Sequence, residues 1–428
     1  MSKANDDTRP VRGMRDLLGQ DSAGFDTVVD TLRKVAQSHG YSHIETPILE
    51  FSSLFARSLG EDTDVVGKEM FSFIDRAGQS VSLRPEGTAS VVRAIISNGL
   101  TQKLPQKLYY WGPMFRYDRP QKGRYRQFFQ FGVENLGEGA PLSDVDIVSL
   151  AYNGLTRLGI KSKLFINSIG DQASRSAYKA KLVEYFSKYE KDLSEDSRRR
   201  LTTNPLRILD SKEANDIRLV ATAPSISDFL TVEAAAFFER VLNGLGTLSI
   251  DFSIDRTLVR GLDYYDHTTF EFKADIDGQS LAIVGGGRYN GLVEQMGGPH
   301  VPAVGLAFGI DRIMLAYDAS KLLAPPLIAV LFVAKGDEPM ALELAQRLRK
   351  KFNVVFPVEG NLGKRMKQCN AAGASCALIL GEDEIAKNFV TCKFLKDGPG
   401  YTSGLERAVS GDTLEEFLTQ TCFSGPNT

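Results

Sequence analysis

Between Tyr109 and Gly137 the sequence reads YYWGPMFRYDRPQKGRYRQFFQFGVENLG, and five of its side chains are cations: Arg116, Arg119, Lys122, Arg124 and Arg126. Asp118 alone opposes them in the loop and its shoulders. Planar guanidinium forks take phosphate oxygens in pairs, so such a cluster suits a triphosphate. Two alternating segments, Lys107–Tyr117 and Tyr125–Asn135, are expected as strands, with RPQKGR as the hairpin loop and Gly123 as its turn residue. Alternation sends Phe129, Phe131 and Val133 one way and Phe128, Gln130, Gly132 and Glu134 the other. An amide and an acid flanking a glycine suit an amine-bearing small molecule lying against the backbone. The same face could equally be the solvated side of an antiparallel hairpin.

Further polar residues stand at element boundaries. RPEGTAS opens a helix, where Glu86 and Thr88 could serve as caps. LVRGLDYYDHTTFEF places Arg260 beside Gly261 and ends in strand alternation. VGGGRYNGLVEQMGG sets three glycines before Arg288; it lacks both the GxGxxG strand–helix context and the Walker lysine pattern, which excludes a dinucleotide or P-loop reading. In VGLAFGIDRIML, Gly305, Ala307 and Gly309 leave one strand face nearly flat. A planar adenine could slide against it, with Arg312 stacked above. With four histidines and no Ser/His/Asp constellation in these motifs, the chemistry needs no enzymic nucleophile. No metal site is expected.

The elements that must position these residues span a chain of 428 residues, two to three domains' worth. A hydrophobic content of 43% and a charged content of 24% are ordinary for a globular protein, and a net charge of −2 gives no global field for nucleic acid. Any RNA contact must use local basic patches. The lack of a secretory apolar region and of an eighteen-residue apolar run leads to the expectation of a cytoplasmic protein with no membrane contact. Four cysteines, Cys369, Cys376, Cys392 and Cys422, form no CxxC pair and are expected as reduced structural thiols. The first dozen residues are polar and expected to be mobile. Apolar residues from Phe25 to Ala36 recur at helical spacing over Ser22–His39, which Gly40 closes. YSHIETPILE is extended, and Glu69–Ile74 and Ser80–Arg84 are expected as short strands. Ser143–Arg157 follows as a helix and LFINSIG as a strand. Residues 171–246 are charge-rich, with helical stretches near Ser174–Tyr189 and Ser225–Leu242, and are expected as a helical insertion. Residues 319–326 carry a linker signal. Beyond it, short apolar strands alternate with helical patterns, predicting a C-terminal α/β domain over 327–428 after a larger domain over 1–320.

The run FRYDRPQKGRYRQF resembles motif 2 of the class II aminoacyl-tRNA synthetases, and specifically the histidyl-tRNA synthetases. RGLDYY and GGGRYNGLVEQ resemble the two histidine motifs of that family, and VGLAFGIDRIML its motif 3. The helix running into the proline-bearing extended segment resembles motif 1, which implies a homodimer; its amphipathic face alone is equally that of an intrachain core helix. The resemblance covers nearly the whole chain. It implies an α+β fold, with an antiparallel class II catalytic sheet, a helical insertion near the tRNA acceptor arm, and an α/β anticodon-binding domain. It implies ATP, accompanied by Mg2+, as substrate, with L-histidine and tRNA(His) as partners. By the same resemblance Arg116 would bind the α-phosphate, and Arg260 would bridge the substrate carboxylate and that phosphate. Arg124 and Arg312 would hold the outer phosphates. Glu86, Thr88 and Gln130 would take the ammonium group, and Glu134 and Tyr265, with Tyr264 alongside, the imidazole. Arg119, Gln121 and Arg126 would face the tRNA acceptor end. Tyr117–Asp118, Phe129 and Asp311 depart from the commoner His-Glu, His and Glu, which puts side-chain contacts to adenine in question. The rival is the regulatory paralogue of ATP phosphoribosyltransferase, which binds histidine without charging tRNA. It typically lacks the RGLDYY arginine context and the C-terminal domain.

Overall fold

The computed structural model describes residues 8–60, 63–318, 326–397 and 401–422. The chain divides into two compact units, Met1–Ala319 and Ser320–Thr428. The expected mobile segment up to residue 7 and the linker signal at 319–325 lie outside the described residues, as does the side chain of Cys422.

An eight-stranded sheet organises the first unit. Its order is Ser42–His43, Gln106–Phe115, Gln127–Leu136, Ala303–Gly309, Gln279–Arg288, Asp266–Ile276, Lys163–Ser168 and Phe252–Ile254. The two outermost pairings are parallel and every other one is antiparallel. The basic hairpin lies inside this sheet, and its turn is closed by Gln121 and Arg124, with Gly123 at φ +71° as its left-handed residue. The amphipathic helix Gln20–Ser38 buries Phe25, Val28, Leu32 and Val35 against Tyr109, Phe131 and Val133 on one sheet face. The same core takes helix Pro141–Arg157 and, against expectation, helix Val232–Thr247 through Val241 and Leu245. That helix lies within the stretch expected as insertion. Its apolar stripe serves this core, whereas Tyr178, Leu182 and Phe186 pack into a second cluster with Phe55, Val92 and Tyr264.

A small sheet of Leu49–Phe51, Ser80–Leu83 and Ser72–Ile74 precedes helix Thr88–Ser97. Where Glu69–Ile74 is expected as one strand, Val65–Glu69 is a π-helical turn and only Ser72–Ile74 pairs. In the second unit, Asn353–Val355, Leu327–Phe332 and Cys376–Leu380 are parallel neighbours, and Phe389–Phe394 and Glu406–Ser410 extend the sheet antiparallel. Cys369, Cys376 and Cys392 are buried there and form no disulfide. Among the described residues no helix is long and apolar enough to cross a membrane.

Candidate active site

Strand register, rather than chain order, assembles the site. Tyr110, Gly132, Ala307, Gly285 and Glu271 are successive cross-strand partners, so all five share one row and one sheet face. A Cβ at Gly132 would collide with the ring of Tyr110, and one at Gly285 with the guanidinium of Arg260. The strand glycines therefore admit two side chains of this chain against the backbone. Gly305, expected to face a ligand, instead gives its space to the Glu134 carboxylate. Ala307 and Gly309 do line a cavity of about 370 Å³, together with Gly285.

Five arginines line that cavity: Arg116, Arg124, Arg207, Arg260 and Arg312. Arg116 Nε donates to the Pro85 carbonyl at 2.9 Å, and its guanidinium lies 5.3 Å from the centre of the Phe128 ring. Arg312 is fixed by the carbonyls of Gly123 (3.3 Å) and Ala282 (2.7 Å). Arg124 faces Asp118 at 3.4 Å. Burial lowers the pKa of Arg116, against the pull of Glu69 and Glu86. It lowers that of Arg312 too, with Arg124 and Arg116 adding repulsion. Arg260 is also desolvated, but its ion pair with Glu271 and the nearby Tyr265 and Tyr264 hydroxyls outweigh the loss, leaving its pKa raised. The guanidinium groups can take an anion's oxygens in pairs, while the carboxylates of Glu69, Asp118, Asp210 and Glu271 along the same cavity offset part of their charge.

Beside the cavity lies a closed polar cluster. Glu134 accepts from Thr88 Oγ1 at 2.7 Å, from the Tyr110 hydroxyl at 3.3 Å and from the Tyr289 hydroxyl. Burial pushes its carboxyl up to about 8, while the Tyr289 and Thr88 bonds pull the other way. Glu86 accepts from the Thr88 and Ala89 amides at 2.7 and 2.8 Å, which is the capping arrangement at the start of helix Thr88–Ser97. Tyr264 and Tyr265 are buried with ring centres 4.6 Å apart.

The expected residues thus fall into three places. Arg116, Arg124, Arg260, Arg312 and Gln130 line the cavity, and Glu86, Thr88, Glu134, Tyr264 and Tyr265 form the closed cluster. Arg119 and Gln121 are exposed near the hairpin tip. Arg126 is neither: its guanidinium stacks on Tyr117 at 3.6 Å and its amide donates to Gly13, so it ties down the N-terminal segment. Asp311 binds the Phe129 amide (2.7 Å) and Arg15 (2.8 Å), fixing helix to hairpin. Sequence reasoning missed Tyr110, Tyr289, Glu271, Arg207 and Asp210. Tyr289 sits inside the glycine-rich run and Glu271 on an alternating strand, so periodicity could have placed both on the site face. Arg207 and Asp210 gave no local signal.

Residues 13–313 match the sequence profile of histidyl-tRNA synthetase, and residues 328–418 that of an anticodon binding domain. The chain belongs to the histidyl-tRNA synthetase family. Family members include a histidine–tRNA ligase of Rhodospirillum rubrum, 47% identical over 415 residues, covering 96% of this chain and 99% of that protein. One from Synechococcus elongatus is 44% identical over 398 residues, 92% of each chain. Among solved structures, apo histidyl-tRNA synthetase of S. aureus aligns with a TM-score of 0.78 and 34% identity, covering 96% of this chain and 99% of that one. All five cavity arginines and the whole closed cluster lie within the span that matches the synthetase profile.

Proposed function

We infer that this chain is a histidine–tRNA ligase, activating histidine with ATP and passing it to the 3′ end of tRNA(His). One observation carries the assignment of the site: the guanidinium groups of Arg116, Arg124, Arg260 and Arg312 converge on a single cavity, directly beside a buried carboxylate network. A substrate carboxylate oxygen attacks the α-phosphorus of ATP, the bond to the β-phosphate breaks, and pyrophosphate leaves. Arg116 holds the α-phosphate, and Arg260 bridges it and the incoming carboxylate. Arg124 and Arg312 take the outer phosphates, and ATP brings its Mg2+ as part of the substrate. Catalysis on this reading is positioning and charge stabilisation of the pentavalent phosphorus. Glu134, with Tyr264 and Tyr265, selects the imidazole, while Glu86, Thr88 and Gln130 face the ammonium group. A buried pocket matched to an imidazole edge rejects amino acids lacking it by several orders of magnitude.

On this reading Arg119 and Gln121 meet the acceptor end, and the second unit binds the anticodon. The arginine of RGLDYY and a C-terminal unit matching the anticodon binding domain both speak against a purely regulatory role. A homodimer is supported by the apolar side chains that the small sheet and hairpin leave exposed: Phe51 (57%), Phe73 (50%), Ile74 (66%) and Trp111 (41%). The compartment we assign is the cytoplasm. The test is histidine-dependent exchange of pyrophosphate into ATP on the wild type and on Arg260→Ala. Exchange with histidine alone among the amino acids, largely lost in the variant, is expected. Histidine binding without exchange would overturn the assignment.

A further inference from the structure

The cavity has a wall that belongs to the helical insertion. Arg207 and Asp210 come from the 3₁₀ segment Pro205–Asp210, and both line it. Arg207 is well buried and donates from Nη1 to the carbonyl of Gly261, the residue that follows Arg260. Its Nη2 lies 3.5 Å from Asp64, which Arg200 also holds at 2.9 Å. Three residues earlier, Asn204 donates at 2.6 Å to Asp263, on the far side of the same loop. The Gly261–Asp263 loop is therefore gripped at both ends by one short segment of the insertion. Beyond it, Arg260 runs over Gly285 to Glu271.

We propose that Arg207 is a positioning residue for histidine activation, holding Arg260 in register through the Gly261 carbonyl, with Asn204 as its second anchor. This rests on the role of Arg260 proposed above. The loop has no strand partner between Val259 and Tyr265, so nothing in the sheet ladder replaces the two bonds. Arg260 also lacks a hydrogen-bond partner at Nε, so its placement depends on Glu271, on the Tyr265 ring 5.9 Å away and on the loop itself.

The experiment is a double-mutant cycle on the full chain by histidine-dependent pyrophosphate exchange, with Arg207→Ala, Arg260→Ala and the pair. Arg207→Ala is expected to lower kcat about tenfold or more, since a reacting group misplaced by about 1 Å costs as much or more. In the Arg260→Ala background it should change the residual rate less than twofold, because its effect passes through Arg260. Asn204→Ala supplies the same reading if Arg207→Ala fails to fold, with melting temperature checking each variant. Full additivity, or wild-type kcat in folded Arg207→Ala and Asn204→Ala, would overturn the proposal while leaving the ligase assignment intact. Unimpaired exchange in Arg260→Ala would remove the reading beneath it.

Discussion

Replacing Glu134 by glutamine should make the protein more stable as pH rises while abolishing histidine activation. The carboxyl is buried and its pKa stands near 8 against 4.5 for an exposed glutamate. Between those values the folded chain keeps a proton that the unfolded chain has lost. Folding then takes up a proton, so stability falls with rising pH across that window, and above about 8 the full cost is present. At about 1.36 kcal/mol per pKa unit, the cost that accumulates from pH 5 to pH 8 is on the order of 3 to 4 kcal/mol. Glutamine does not titrate, and the hydroxyls of Thr88, Tyr110 and Tyr289 can turn to accept from its amide. Any packing penalty of the substitution is common to all pH values and leaves the slope untouched. The assay is melting temperature against pH for both proteins, without histidine. The gap in favour of Glu134→Gln should widen by about 7 °C between pH 5 and pH 8, at roughly 2 °C per kcal/mol for a unit of this size. A gap that stays flat or narrows would refute the burial argument, and retained pyrophosphate exchange would refute the role given to Glu134.

Other substitutions test other parts of the molecule. Arg288→Met strips a fully buried carboxylate, Asp144, of its partner, and should cost about 3–5 kcal/mol in urea unfolding; adding Asp144→Asn should recover much of it. A second change that recovers nothing would mean the other acceptors of Arg288, at Glu138, Ser143 and Asn290, dominate. Gly285→Ala sets a methyl against the Arg260 guanidinium, so kcat for pyrophosphate exchange should fall at least tenfold. Wild-type kcat would show that Arg260 reaches its working position by another path. Phe51→Asp with Phe73→Asp places two charges on the exposed apolar edge and should yield a monomer by sedimentation, whereas an undisturbed dimer would locate the interface elsewhere.

Much of the architecture could be read locally. Hairpin strands, the glycine at the turn and the amphipathic helix Gln20–Ser38 all carry their signal within a window of about twenty residues. Arg116, Arg260 and Arg312 stood out because each sits in a compact motif. Less legible were side chains whose partners are far along the chain: Tyr289 reaches Glu134 across 155 positions, and Lys122 meets Asp277 across the same distance. Helix Val232–Thr247 illustrates the limit, since its stripe fits either an insertion or a core until the surface opposite it is known.

By itself the sequence determined residue types and local geometry. It placed cations on a hairpin, small residues at alternate strand positions, and an arginine beside a glycine in a loop. Tertiary structure alone decided what those features face. Register between strands far apart in sequence set Gly132 under Tyr110 and Gly285 under Arg260, and seated Glu134 in the gap left by Gly305. It also brought Arg207 from the insertion to the Arg260 loop. The physical reason is that strand pairing and burial are cooperative over the whole sheet, so a side chain's environment belongs to the fold rather than to its neighbours in sequence.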